Sequence, residues 1–297
     1  MPRFGAHLSI AGGTDRAVER ARDIRADCLQ LFVKSPSQWR FAALTDEEVA
    51  RFKAAVAGGK RAGPLTPLVG HVSYLVNLAS PDPALWEKSC RTVLEEWDRA
   101  ARLGLDDLVL HPGAHMGSGE TAGLGQIARA LTWLRHERPA CPVRILLETT
   151  AGAGTILCGR FEHLKVLIDG CDPGDAVRAA AAGRWLAVCI DTCHLFAAGY
   201  DLRTRDAVDE TLGRLDEAVG LARVRVVHAN DARGGLGSHL DRHEHIGRGL
   251  LGKEAFRLLV NHPALATLPF ILETPKEDAR GRPMDPTNLR ALRRLQE

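Results

Sequence analysis

The sequence predicts an α/β protein, a single-domain (β/α)₈ TIM barrel spanning 1–297, and three observations lead there. Eight short apolar runs rich in Val, Ile and Leu alternate with longer amphipathic stretches. The runs show little polar alternation, as parallel strands buried on both faces do. The stretch after the first run, GAHLSIAGGT, holds neither GxGxxG nor a Walker pattern, so it lacks the phosphate loop expected of an open doubly wound sheet. Eight is also the number of strands that closes such a barrel, and about 250 residues suffice for one.

In chain order the expected strands are Arg3–Ala6, Cys28–Val33, Leu68–Gly70, Asp107–Leu110, Val143–Leu147, Leu186–Ile190, Arg223–Val227 and Pro269–Leu272. Helical patterns lie between them. Thr45–Ala57 opens on Thr45 with Glu48 three residues on, a capping box. Ala84–Leu103 follows Asp82 and Pro83, a cap and a first-turn proline. Gly125–Glu137 and Thr204–Gly220 show the same periodicity, whereas Gly58–Pro67, Gly117–Gly125 and Cys171–Arg184 read as surface loops or short irregular helices. The last of these, Ala-rich and long, reads as a peripheral insertion.

Composition is that of a globular protein, with 45% hydrophobic and 26% charged residues. Lys plus Arg number 39 against 37 Asp plus Glu, a net charge of +2. No bulk basic field exists, so binding to nucleic acid would need basic and polar groups gathered on one face. The seven cysteines include no CxxC pair, which points to a reducing, cytoplasmic compartment. No signal-peptide core or membrane-length apolar run is evident, so a soluble protein is expected, with a monomer as the default and no membrane partner.

The residues that close each run carry the chemistry: His7, Lys34, His71, His111, Glu148, Asp191, His228 and Glu273. In a TIM barrel the C-terminal strand ends share one face, and that face holds the active site. Six of these residues, His71, His111, Glu148, Asp191, His228 and Glu273, therefore aim imidazoles or carboxylates at a common centre. One such residue is ordinarily a satisfied polar group. Six together demand cations, because clustered carboxylates repel. Asp191-Thr-Cys-His194 and Asp241-Arg-His243 add His194, Asp241 and His243 on short spacings. The nine candidates, five His, two Asp and two Glu, fit two or three metals with a carboxylate shared between them. Zinc suits the imidazoles, and Mn²⁺ or Fe²⁺ would suit part of so carboxylate-rich a set. His7 is expected either to support a ligand from behind or to be structural, and His115 and His245 to face solvent or back up a ligand. The Cys193 side chain is expected to point away from its flanking ligands. No organic cofactor is implied.

Over these motifs, GAHLSIAGG, KSPSQW, HVSYLVNL, HPGAH, LLETTAGAG, CIDTCHLFAAGYDLRT, VVHANDARGGLGSHLDRHEHIG and FILET, the sequence resembles the endonuclease IV family along nearly its whole length. The resemblance implies a three-zinc DNA-repair endonuclease that cuts duplex DNA 5′ to abasic sites, leaving a 3′-hydroxyl and a 5′-deoxyribose phosphate. It assigns His71, His111 and Glu148 to one zinc, with Glu148 shared by a second that Asp191, His228 and Glu273 complete. His194, Asp241 and His243 take the third. Hydrolysis without a protein nucleophile is expected, with Glu148 as the catalytic residue that orients the attacking water.

The loops expected to read DNA are Ser9–Gly13, Lys34–Arg40, Val72–Leu78, Tyr200–Thr204 and Arg233–Ser238. Within them Gln38, Tyr74 and Leu75 match the family's DNA-wedging positions, where side chains enter the base stack as a nucleotide is extruded. Ser37 stands where the family usually carries an Arg, a departure that bears on affinity and damage discrimination and not on the chemistry. The sequence leaves two rival readings open: a metal-dependent sugar isomerase or epimerase on a related barrel, and a non-catalytic binder of damaged DNA.

Overall fold

The computed structural model describes residues 1–58, 64–172 and 184–297. Eight parallel strands close into a barrel: β1 (Arg3–Leu8), β2 (Cys28–Phe32), β3 (Leu68–His71), β4 (Asp107–Leu110), β5 (Arg144–Glu148), β6 (Leu186–Asp191), β7 (Val224–His228) and β10 (Pro269–Leu272). A short antiparallel pair, β8 (Asp231–Ala232) with β9 (His243–Glu244), rises beside the barrel mouth. All eight expected strands are present. β1 runs two residues beyond its apolar run because His7 and Leu8 still pair with Gln30 and Leu31 of β2.

Nine α helices lie among the described residues: α1 (Thr14–Asp23), α2 (Asp46–Ala57), α3 (Pro83–Leu103), α4 (Glu120–Glu137), α5 (Phe161–Cys171), α6 (Thr192–Ala198), α7 (Arg205–Val219), α8 (Gly252–Val260) and α9 (Asp285–Arg293). The capping box of α2 forms, with the Glu48 N–H donating to Thr45 Oγ1 at 3.2 Å and the Thr45 N–H to Glu48 at 2.8 Å. Asp82 caps α3 and Pro83 starts it.

The expected loop Gly117–Gly125 is a correction, because α4 begins at Glu120 and takes in Gly123 and Gly125. Gly123 serves close packing there: a Cβ on it would sit 2.7 Å from the Cβ of His115. Residues 59–63 and 173–183 of the other two expected loops lie outside the described residues. No helix among the described residues is long and apolar enough to cross a membrane, and all seven cysteines carry free thiols.

Two apolar cores build the scaffold. The larger lies between the helices and the outer strand faces, around Trp97, Phe52, Phe256 and Phe270. The smaller plugs the barrel interior with Cys28, Val69, Val109, Leu146, Ala187, Cys189, Val226 and Ile271. Side chains alternate along a strand, so residues two steps past the plug point into the same interior, one layer nearer the C-terminal mouth. Those residues are Gln30, His71, His111, Glu148, Asp191, His228 and Glu273, with His7 completing the ring from β1. The apolar plug is thus the floor of a polar layer.

Candidate metal centre

Glu148 lies at the middle of that layer, fully buried. Its Oε2 is 3.0 Å from His111 Nε2 and 3.3 Å from His71 Nε2, and its Oε1 is 2.9 Å from His228 Nδ1. His71, His111 and Glu148 bring one donor atom each within 4.8 Å of one another. Glu148, Asp191, His228 and Glu273 do the same, and so do His194, Asp241 and His243. All nine expected residues fall into these three groups, and Glu148 is common to two.

The third group depends on local structure beyond the strands. Asp191 ends β6 and caps α6, its Oδ1 accepting the His194 N–H at 2.9 Å. That cap turns His194 in over the barrel. Asp241 and His243 come from the long loop after β7, which the β8–β9 pair folds back onto the mouth. Asn230 ties the pieces together: its side-chain N–H donates to Asp191 Oδ2 at 2.7 Å, and its Oδ1 accepts the Glu273 N–H at 2.8 Å.

The imidazoles are held as metal-ligating imidazoles are held. A ligating ring nitrogen offers a lone pair while the other nitrogen donates its proton to a fixed acceptor. The Nδ1 of His71 contacts the Val72 carbonyl at 2.7 Å, that of His194 the Thr149 carbonyl at 2.8 Å, and that of His243 the Glu273 carbonyl at 3.1 Å. Each leaves Nε2 facing the site. His228 is reversed, with Nε2 on Gln30 Oε1 at 2.8 Å and Nδ1 inward. The buried Nε2 atoms of His194 and His243 make no well-formed hydrogen bond and converge on Asp241 Oδ1 at 3.2 and 3.4 Å, an arrangement that a cation between them would complete.

Charge tells the same story. Burial opposes ionisation of Glu148, yet His111 and His228 outweigh it and hold its carboxyl well below the usual range. Glu273 is likewise held low against its burial, first by His228 and by its hydrogen bond with His7. For His194 burial disfavours the charged ring, but Asp191, Asp241 and Glu148 push its pKa up to about 10. Four carboxylates in so small a space require compensating positive charge, and divalent cations match the donor set.

Other residues depart from expectation. Lys34, which opens an expected DNA-reading loop, is buried, 3.4 Å from Glu96, and donates to the Gln38 carbonyl at 2.6 Å. The inward residue of β2 is Gln30, which the apolar pattern of its run conceals. Counting two residues on from Cys28 would have found it. Cys193 does not point clear of the site, since its Sγ lies within 4.8 Å of donors on Asp191 and His243. Burial raises that thiol strongly, and it donates toward the Arg242 carbonyl. His7 touches Glu273 at 3.1 Å and burial lowers its pKa to about 4, so it supports a ligand as a neutral ring. His115 accepts the N–H groups of Gly117 and Gly119, and His245 is buried against Asn288 instead of facing solvent.

Around the mouth, Tyr74 is 67% exposed and Gln38 is exposed, while Leu75 is half-buried. Cavities of about 330 and 360 Å³ flank Tyr74, one reaching Glu273 and Lys276 and the other His111 and Asp241. Met116, Ile156, Leu236 and Leu240 are also exposed on loops of this face, an apolar rim that no sequence motif announced. Tyr200, in an expected DNA-reading loop, is buried, stacked on Phe161 and bonded to its N–H.

A family described as the xylose isomerase-like TIM barrel matches residues 18–296. A probable endonuclease 4 of Chloroflexus aggregans is 47% identical, over 99% of both chains. The chain belongs to the endonuclease IV family. The crystal structure of endonuclease IV from Thermus thermophilus superposes with a TM-score of 0.81 at 38% identity, covering 99% of this chain and 98% of that one. A D-tagatose 3-epimerase-like protein shares the fold at a TM-score of 0.67 and 16% identity, over 98% of this chain and 96% of that one. Endonuclease IV chains and sugar epimerases thus share one scaffold, and sequence identity places this chain among the former.

Proposed function

We propose that this member of the endonuclease IV family is a DNA-repair endonuclease that hydrolyses the phosphodiester 5′ to abasic sites in duplex DNA, leaving a 3′-hydroxyl and a 5′-deoxyribose phosphate. The observation that carries the reading is the meeting of three donor groups at the barrel mouth, two of them sharing Glu148. We assign His71, His111 and Glu148 to one zinc, Glu148, Asp191, His228 and Glu273 to a second, and His194, Asp241 and His243 to a third. When bound, the ions lower the pKa of coordinated water and neutralise charge on the phosphoryl oxygens.

The residues set the rest. Glu148 is held ionised and immobile by the imidazoles on both its oxygens, so it orients the attacking water without a search. Its burial between His71, His111 and His228 also excludes bulk solvent from that face. Asp241 has its side chain 53% exposed and His111 is partly exposed, so they mark the side from which a phosphate enters. Tyr74 stands between the two cavities, where with Leu75 and Gln38 it fills the space left when an abasic nucleotide leaves the stack. A missing base lowers the cost of that extrusion, which is the source of selectivity.

We read residues 1–297 as one domain acting as a monomer, without an organic cofactor. Seven free thiols suit a reducing cytoplasm. The test is a duplex carrying one abasic analogue that resists β-elimination, incubated with metal-loaded and chelator-stripped protein. A single metal-dependent nick on the 5′ side with a 3′-hydroxyl is expected. No nick by folded, metal-loaded protein would overturn the reading and direct attention to sugar isomerisation.

A further inference from the structure

We infer that Gln30 is a positioning residue of the metal centre, fixing by hydrogen bonds which nitrogen His228 and which oxygen Glu273 turn toward the ions. The inference rests on the ligand set proposed above. Gln30 is fully buried on β2, one layer above Cys28 of the barrel plug. Its Oε1 accepts from His228 Nε2 at 2.8 Å. Its amide nitrogen donates to Glu273 Oε1 at 2.6 Å and lies 2.9 Å from His7 Nδ1.

The orientation of this amide is dictated by charge. Reversed, it would set its oxygen about where the nitrogen now lies, 2.6 Å from Glu273 Oε1, acceptor against acceptor. With the nitrogen committed to Glu273, the oxygen must face His228 and can only accept. His228 therefore donates from Nε2 to Gln30 and turns Nδ1 to the centre, 2.9 Å from Glu148 Oε1 and 3.2 Å from Glu273 Oε2, the nitrogen that would ligate an ion there. The same amide occupies Glu273 Oε1 and leaves Oε2 for the centre. His71, His194 and His243 obtain this service from backbone carbonyls at the barrel mouth. His228 turns its outer nitrogen across the barrel toward β2, and a side-chain carbonyl takes that part. A carboxamide does so without adding a fifth charge to four carboxylates.

Groups that orient ligands in this way are worth about 10–100-fold in metal affinity or activity. The test uses metal-loaded full-length protein and its Gln30→Met and Gln30→Glu variants. Gln30→Met keeps the volume and removes both bonds. Gln30→Glu keeps an acceptor for His228 and sets a like charge against Glu273. Bound metal per chain is measured by elemental analysis after dialysis against graded chelator, with circular dichroism as the control for folding. One ion is expected to be lost at about 10–100-fold lower chelator strength in both variants, while the other ions follow the parent. Retention of every ion with the parent's chelator dependence would overturn the role of Gln30. Should Gln30→Met not fold, the Gln30→Glu titration decides by the same criterion. A parent protein that takes up no metal would instead overturn the ligand set itself.

Discussion

Replacing Lys34 by Met cuts a buried ion pair that holds two loops of the barrel mouth at once. Lys34 Nζ lies 3.4 Å from Glu96 Oε1 on α3, and both side chains are essentially inaccessible. The same ammonium donates to the Gln38 carbonyl, and Glu96 accepts the Ser73 hydroxyl at 2.7 Å and the Ser73 N–H at 3.0 Å. Gln38 and the neighbour of Tyr74 thus hang from one pair. At an effective dielectric of about 20, two charges 3.4 Å apart attract by about 5 kcal/mol. Removing one partner strands the other in a dry site, at a cost of about 3–5 kcal/mol.

The expected result of Lys34→Met in urea unfolding is therefore a loss of about 3–5 kcal/mol at neutral pH, with bound metal unchanged. Lys34→Met with Glu96→Gln is expected to recover at least half of it, because no charge is then stranded. The pH dependence has a definite sign. Burial raises the Glu96 carboxyl above its ordinary value even with Lys34 beside it. A carboxyl raised on folding binds its proton more tightly in the folded state, so stability falls as pH rises out of the usual carboxylate range. Without Lys34 the rise is greater, so the deficit of Lys34→Met is largest at neutral pH and shrinks as pH falls and Glu96, its carboxyl raised by burial, takes up its proton. A loss under about 1 kcal/mol, or a double variant no better than the single, would refute the account of the pair.

Four other outcomes are expected. Glu148→Gln is expected to lower kcat on abasic duplex by about 10²–10⁴-fold with metal still bound, and near-normal turnover would remove its role in orienting water. Tyr74→Ala is expected to leave thermal stability close to the parent's, since the ring is 67% exposed, while raising KM for abasic duplex; an unchanged KM would exclude a DNA-wedging role. Chelation of the metals is expected to lower Tm, because four clustered carboxylates lose their compensating cations, and calorimetry with and without chelator measures the shift. Thr45→Ala removes the α2 cap and is expected to cost about 1 kcal/mol in urea unfolding without altering nicking.

The sequence by itself determined the barrel, because strands buried on both faces must be continuously apolar and the intervening helices must be amphipathic, and both patterns are local. It also singled out nine candidate donors, six as polar residues closing apolar runs and three, His194, Asp241 and His243, from short spacings. A polar residue that ends an apolar run is conspicuous, and parallel strands bring all such ends to one face. Helix boundaries were legible where capping chemistry was explicit, as at Thr45 and Asp82, and not at Glu120, where glycines that read as a turn serve packing against His115.

What only the tertiary structure decided depends on register and on contacts between distant segments. Lys34 follows β2 just as His71 and Glu148 end their strands, yet it turns outward to Glu96, far along the chain on α3. Gln30 lies within an apolar run, and only the stagger of β2 against its neighbours places its amide between His228 and Glu273. The apolar rim of Met116, Ile156, Leu236 and Leu240 is assembled from separate loops whose exposure no local pattern fixes. Alternation along a strand is a property of the chain, whereas the partner a side chain meets across the barrel is set by how all eight strands close, and that closure is a global property of the fold.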